Sequence, residues 1–222
     1  MLVLKLVKLL LTMKDTTLKT YSSRVSRKVE AFVKHPQFES LDHIHKLEAY
    51  GEQDVIFYDI ALLRLAEPLE FSDELQPICL PSRDRHVNGA LATLIGWGDT
   101  LRDTQRVDSS VLREAQTRVF VTDANPFAAA VFRTASRRLL HTYTGRGVAT
   151  CFGDSGGPLM LRSARSGFWF QYGVVSGMLP LQADGECDVP HGINMFARIA
   201  RYCAFIAETT QGEVKCIDPE ND

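Results

Sequence analysis

Cys151-Phe152-Gly153-Asp154-Ser155-Gly156-Gly157-Pro158 is the stretch that decides how this chain is read. A serine becomes a nucleophile only when its hydroxyl is exposed, its proton has an acceptor, and amide donors await the oxyanion. Glycine-rich turns let backbone N–H groups converge without a Cβ in the way. The N–H groups of Gly153 and Ser155 would form such an oxyanion nest. Gly156 and Gly157 would let the chain pass close beneath a substrate. A bare G-x-S-x-G pattern also fits the nucleophile elbow of an α/β-hydrolase. That elbow needs a parallel sheet with interleaved helices, and the flanking sequence is strand-rich instead.

Outward from this loop, short runs of β-branched, aromatic and aliphatic residues predict strands at Val25–Val33, Ala61–Leu65, Ala90–Ile95, Val111–Val121, Phe168–Val175 and Ile193–Ile199. Turn clusters separate them, among them His35-Pro36-Gln37, Pro81-Ser82-Arg83-Asp84 and Asp123-Ala124-Asn125-Pro126. Only Ala200 to Glu208 has helical spacing. Many short strands and one terminal helix predict an all-β barrel or sandwich. Glu70 to Asn88, where two prolines closely flank Cys79, reads as a connector between two halves. Leu41 to Tyr58 is polar; His43 and His45 would share one strand face as possible metal ligands. No third ligand completes a site there, so a solvated loop is the favoured reading and no metal is expected.

Composition narrows the field. The 222 residues are 45% hydrophobic and 23% charged, enough apolar matter for a core and too much for a disordered chain. The net charge of −2 gives no positive field for nucleic acid. No apolar run is long enough to span a bilayer. Met1 to Met13 is aliphatic, but Lys5 and Lys8 interrupt it and no small-x-small cleavage site follows, so it makes a poor signal peptide. The five cysteines contain no C-x-x-C pair, and an odd number leaves at least one unpaired within the chain.

Gly153-Asp154-Ser155-Gly156-Gly157-Pro158-Leu159, preceded by Cys151, resembles the nucleophile loop of the chymotrypsin/trypsin-like serine proteases. Further matches follow in family order. Asp59-Ile60-Ala61-Leu62-Leu63-Arg64-Leu65 resembles the segment carrying the triad aspartate. Pro77-Ile78-Cys79-Leu80-Pro81 resembles the interlobe connector, and Gly96-Trp97-Gly98 the start of the second barrel. Val174-Val175-Ser176 is similar to the strand that binds substrate backbone, and Phe196-Ala197-Arg198-Ile199 to the lead into the terminal helix. The resemblance implies two antiparallel barrels of the six-stranded type, the first incomplete, and a C-terminal helix. It divides the chain into an atypical head (1–23) and a protease domain (24–222). Within that domain it implies a partial first barrel (24–69), connector (70–89), second barrel (90–197), helix (198–208) and tail (209–222).

The resemblance also assigns roles. Ser155 would be the nucleophile, Asp59 the acid that orients a histidine, and the Gly153 and Ser155 amides the oxyanion hole. Asp154 would accept the ion pair from a new amino terminus created by cleavage. Ala149, Ser176 and Met178 would line the substrate pocket. With Ala149 at the pocket floor where cleavage after Arg or Lys needs an aspartate, a small or medium apolar side chain is expected. Cys151 and Cys187 match a family disulfide. Cys203 and Cys216 would pair with each other, leaving Cys79 for an upstream segment, or Cys79 would take one of them. Two family bridges are missing at both ends, with Ala92 and Leu161 at one pair of positions and Tyr143 and the cysteine-free stretch Asp123–Phe132 at the other.

Two family elements are not found. None of the six histidines stands in an Ala-Ala-His-Cys context before Asp59, and no Ile/Val-Val-Gly-Gly segment occurs. His35 falls in a downstream loop; His86, His141 and His191 come too late in chain order. Without an amine partner, Asp154 implies a loosely ordered loop or a partner from another chain. The expectation is a secreted serine-type endopeptidase homologue, acting on protein or peptide without a cofactor, and a poor catalyst as it stands. It would be either an N-terminally truncated protease or a protease-like binding protein of an extracellular cascade.

Overall fold

The structure, a computed structural model, describes residues 2–4, 25–38, 58–73, 75–102, 105–107, 109–121, 138–143, 148–179 and 192–221. Strands β1 (Leu2–Leu4), β2 (Val29–Lys34) and β3 (Ala61–Leu65) form a sheet in the order β1-β3-β2. Strands β4 (Leu91–Gly96), β7 (Arg113–Val121), β8 (Leu139–Tyr143), β9 (Pro158–Arg162), β10 (Trp169–Leu179) and β11 (Ile193–Arg198) close into a barrel in the order β10-β11-β8-β7-β4-β9. A hairpin of β5 (Thr100–Arg102) and β6 (Gln105–Val107) stands apart, and helix α1 (Cys203–Thr209) follows the barrel. The expected all-β architecture, with one closed barrel, a partial second sheet and a terminal helix, is therefore what the chain adopts.

Alternation along β10 and β11 builds two cores back to back. Val175 and Phe196 point into the barrel with Val87, Ala92, Leu94, Val119, Val121, Leu140, Leu159, Phe170 and Tyr172. Their neighbours Val174 and Ala197 point outward, where Ile60 and Leu62 of the sheet meet Ile199, Tyr202, Phe205 and Ile206. The sheet is thus held against the barrel by the opposite faces of the barrel's own strands. Ala92 is buried and Leu161 packs on the same cluster, so hydrocarbon occupies positions where the family resemblance expects a bridge.

One charged pair is sealed into this framework. Arg198 ends β11 with no exposed surface and donates through Nε and Nη2 to the Asp84 carboxylate at 2.5 and 2.6 Å. The bidentate fork ties the turn before Arg85–Val87 to the strand that leads into α1.

Most strand expectations fall within a few residues of the observed elements. The first is shorter, since Val25 to Lys28 are not strand. The Phe168–Val175 run continues to Leu179 across a bulge between Val175 and Gly177. Strands β8 and β9 went unforeseen. Leu139–Tyr143 alternates weakly, being buried through four successive residues, and β9 begins on a proline directly after the glycine loop. Within the head, expected to be atypical, Leu2–Leu4 pairs antiparallel with Leu62–Arg64.

Candidate active site

The loop carrying Ser155 is fastened at both ends. Asp154 N–H bonds to Cys151 C=O at 3.0 Å and Gly157 N–H to Asp154 C=O at 2.8 Å, closing two successive turns. Gly156 N–H bonds to Val175 C=O at 2.9 Å, and Val175 N–H to Gly157 C=O at 2.8 Å. Gly153 has φ +89°, a left-handed conformation that a side chain would oppose. Ser155 emerges exposed at the tip.

Asp154 turns the other way, into the protein. Its Oδ1 accepts the Gly98 N–H at 2.8 Å and its Oδ2 the Cys151 N–H at 3.0 Å. A Cβ at Gly98 would collide with this carboxylate, which is why the Gly96-Trp97-Gly98 segment needs glycine there. The expectation of a loosely ordered loop is corrected: backbone amides from two segments fix the carboxylate in place. Sequence reasoning sought only an ammonium partner and overlooked the amides.

Asp59 arrives from the sheet. It sits in a three-residue turn closed by the Ile60 N–H on Tyr58 C=O at 2.7 Å. Tyr58 takes φ +55°, which costs a side chain with a Cβ about 1–2 kcal/mol. Ser176 on β10 donates its hydroxyl to Asp59 Oδ2 at 2.9 Å. Alternation explains the meeting: Ser176 shares the outward side of β10 with Val174, the side that faces the sheet.

Behind the loop lies a buried polar rung. Asn194 of β11 pairs with Met178 of β10 on one side and Thr142 of β8 on the other. Its Oδ1 accepts both the N–H and the hydroxyl of Thr150 at 2.9 Å, and its Nδ2 donates to Thr142 Oγ1 at 2.9 Å. These bonds anchor the segment between Ala149 and Cys151, just upstream of Ser155. Met178 is buried and Ala149 half-buried. The sequence carries no signal for Thr150, and for the anchoring role of Asn194 it offers only an amide inside the apolar run Ile193–Ile199.

The described histidines are engaged elsewhere. His35 accepts the Gln37 N–H on Nδ1 at 3.2 Å and stacks on Tyr58 with centroids 4.7 Å apart. Burial, then Arg138, lowers its pKa from 6.5. His86 Nε2 lies 3.0 Å from the Tyr172 hydroxyl. His141 is buried in β8, and burial followed by Arg198 pushes its pKa down to about 4. His43, His45 and His191 lie outside the described residues, so the metal reading of the first two has no structural account. Cys203 and Cys216 are joined, which selects the first of the expected pairings. Cys151 is disulfide-bonded, and its expected partner Cys187 lies outside the described residues.

Comparison with known proteins agrees with this arrangement. The trypsin family model matches residues 6–206, and the chain belongs to the trypsin family. It is 29% identical over 167 residues to the clotting factor G beta subunit of Tachypleus tridentatus, covering 71% of this chain and 52% of that protein. It is 33% identical over 156 residues to the ovochymase of Halocynthia roretzi, covering 68% of this chain and 9% of that one. The serine proteinase stubble of Drosophila melanogaster is 33% identical over 161 residues, or 68% and 19%. The chain spans about half the length of the first of these relatives and smaller shares of the others. No helix among the described residues is long and apolar enough to cross a membrane.

Proposed function

We propose that this chain carries the catalytic half-site of a secreted serine endopeptidase: Ser155 as nucleophile, the Gly153 and Ser155 amides as oxyanion donors, and Asp59 as the acid that orients an imidazole. The observation that carries this reading is the 2.9 Å bond from Ser176 to Asp59. It brings a carboxylate from the sheet onto β10, the strand that also holds Gly156 and Gly157 under the serine. Asp154 is the proposed acceptor of an amino-terminal ammonium. Ala149, Ser176 and Met178 are the proposed pocket. With no carboxylate at Ala149, and the Asn194 amide engaged with Thr150 and Thr142, the pocket favours a small or medium apolar side chain over arginine or lysine. The Cys203–Cys216 disulfide supports an oxidising, extracellular compartment.

No histidine of this sequence stands in the family's base segment, so in this reading the imidazole comes from a segment outside these 222 residues, linked through Cys79. The second reading, favoured by the same observation, is a protease-like binding protein of an extracellular cascade. An active-site-directed fluorophosphonate separates them. The full chain, with Ser155→Ala as control, is expected to label weakly or not at all. Labelling at the rate of an intact serine protease would show that a base within the chain reaches Ser155, overturning the deficit. If adding an upstream segment restores labelling, the endopeptidase reading stands; if it does not, the binding protein remains.

A further inference from the structure

We propose that Arg138 and His35, which share the ring of Tyr58, form an acid-sensitive clamp across the junction of barrel and sheet, and that Arg138 is thereby a positioning residue for the Asp59 carboxylate. Arg138 directly precedes β8 of the barrel, and its guanidinium carbon lies 4.4 Å from the Tyr58 ring centroid, within cation–π range. His35 follows β2 in the sheet and stacks on that same ring at 4.7 Å with planes 21° apart. Its backbone N–H grips the Ile60 C=O at 3.0 Å, so ring and main chain of His35 hold both shoulders of the turn that contains Asp59. Tyr58 keeps its left-handed backbone, at φ +55°, under these contacts. That conformation aims the next residue at Ser176.

The clamp suits a neutral imidazole. Nδ1 of His35 accepts the Gln37 N–H at 3.2 Å, so a proton added there removes a hydrogen bond. It also places a second cation on a ring that already faces the Arg138 guanidinium. The other described groups around His35 offer little relief. Tyr202 meets it edge-on at 5.6 Å and Phe205 at 4.7 Å, and the one carboxylate of the turn, Asp59, is committed to Ser176. The lowered pKa of His35, from burial and then Arg138, agrees. On acidification the two cations repel, Tyr58 relaxes from its left-handed backbone, and Asp59 withdraws from Ser176. This rests on the reading of Asp59 as the orienting acid only for its effect on turnover; the test reads His35 and Asp59 directly and does not depend on whether Ser155 reacts.

The test is a pH titration of the full, isotope-labelled chain by NMR, following the His35 imidazole and the Asp59 carboxyl carbon together. In the unsubstituted protein His35 is expected to titrate below 6.5, with the Asp59 resonance moving in step. Arg138→Gln should raise the His35 midpoint toward the ordinary value, and Arg138→Lys, which keeps the cation, should restore most of the depression. A His35 midpoint unchanged by Arg138→Gln, or an Asp59 resonance indifferent to the His35 titration, overturns the clamp. Should Arg138→Gln fail to fold, the coupling between the two resonances in the unsubstituted protein still decides.

Discussion

In the barrel each strand has a partner on both sides, whereas in the neighbouring sheet, among the described residues, β1 and β2 each pair only with β3. The barrel has its own interior, sealed by residues such as Phe170 and Phe196 with no exposed surface. The sheet's buried face is instead built against the outside of the barrel, and its outer strand shows Val29 and Phe32 to solvent, the latter at 54% exposure. The candidate site is divided along that line. Ser155, Gly153 and the Asn194 rung belong to the self-contained barrel; Asp59 belongs to the sheet and reaches its partner only across the junction. A nucleophile loop of this kind keeps its shape from the barrel's hydrogen bonds, while the acid keeps its place through packing between two bodies. Disturbing the junction should therefore affect the acid before the serine.

The largest expected loss comes from the pair that underwrites both regions. Asp84→Ala takes the carboxylate away from a fully buried guanidinium, and should cost about 3–5 kcal/mol in chemical denaturation. Replacing both partners by apolar residues of similar volume should cost much less, because the penalty lies in a buried charge that has lost its counter-charge and not in the missing attraction. A double variant as unstable as Asp84→Ala would show that the fork is needed for its geometry.

Next in size is an acid effect within the barrel. His141 has a folded pKa near 4 against an ordinary 6.5, so below 6.5 the unfolded chain takes up the proton first. Stability is fully present above 6.5 and is lost as pH falls toward 4, by roughly 3 kcal/mol at most. His141→Gln should flatten that part of the stability profile, measured as urea midpoints at several pH values. Parallel profiles for the two proteins would remove His141 from the account. His35, on the sheet side, acts with the same sign, so the pair of residues tells whether acid loosens the barrel or the junction first.

What could be read from the amino acids alone divides in the same way. The glycine loop and the short apolar runs such as Ala61–Leu65 and Phe168–Val175 are local patterns, and the all-β fold followed from them, while the roles expected of Ser155 and Asp59 came with the family resemblance. The contacts that hold the site were not local. The Ser176–Asp59 bond spans 117 positions and the Thr150–Asn194 bond 44. Nothing in a short window marks Asn194 as the anchor of the Ala149–Cys151 segment, or Gly98 as the donor that fixes Asp154. Strand β8 was missed because its residues are buried on both faces and lack the alternation that betrays a half-exposed strand. The Tyr58 turn was missed because left-handed backbone is ordinarily signalled by glycine or asparagine.

The smallest effect is the most informative about the sheet. Phe32 is an aromatic residue on an outer strand, opposite the buried Leu63 yet itself more than half exposed. If that face is open to water, Phe32→Thr removes little buried surface and keeps a residue suited to strands, so stability should change by no more than about 0.5 kcal/mol. The same exchange at Phe196, which has no exposed surface, should cost several times as much through the cavity it leaves in the barrel. A loss of about 2 kcal/mol at Phe32 would mean that the ring is covered in solution, and sedimentation of the full chain over a range of concentrations would then say whether a second copy covers it. In that case the open sheet would be an interface, and the contrast with the barrel would be one of partners and not of closure.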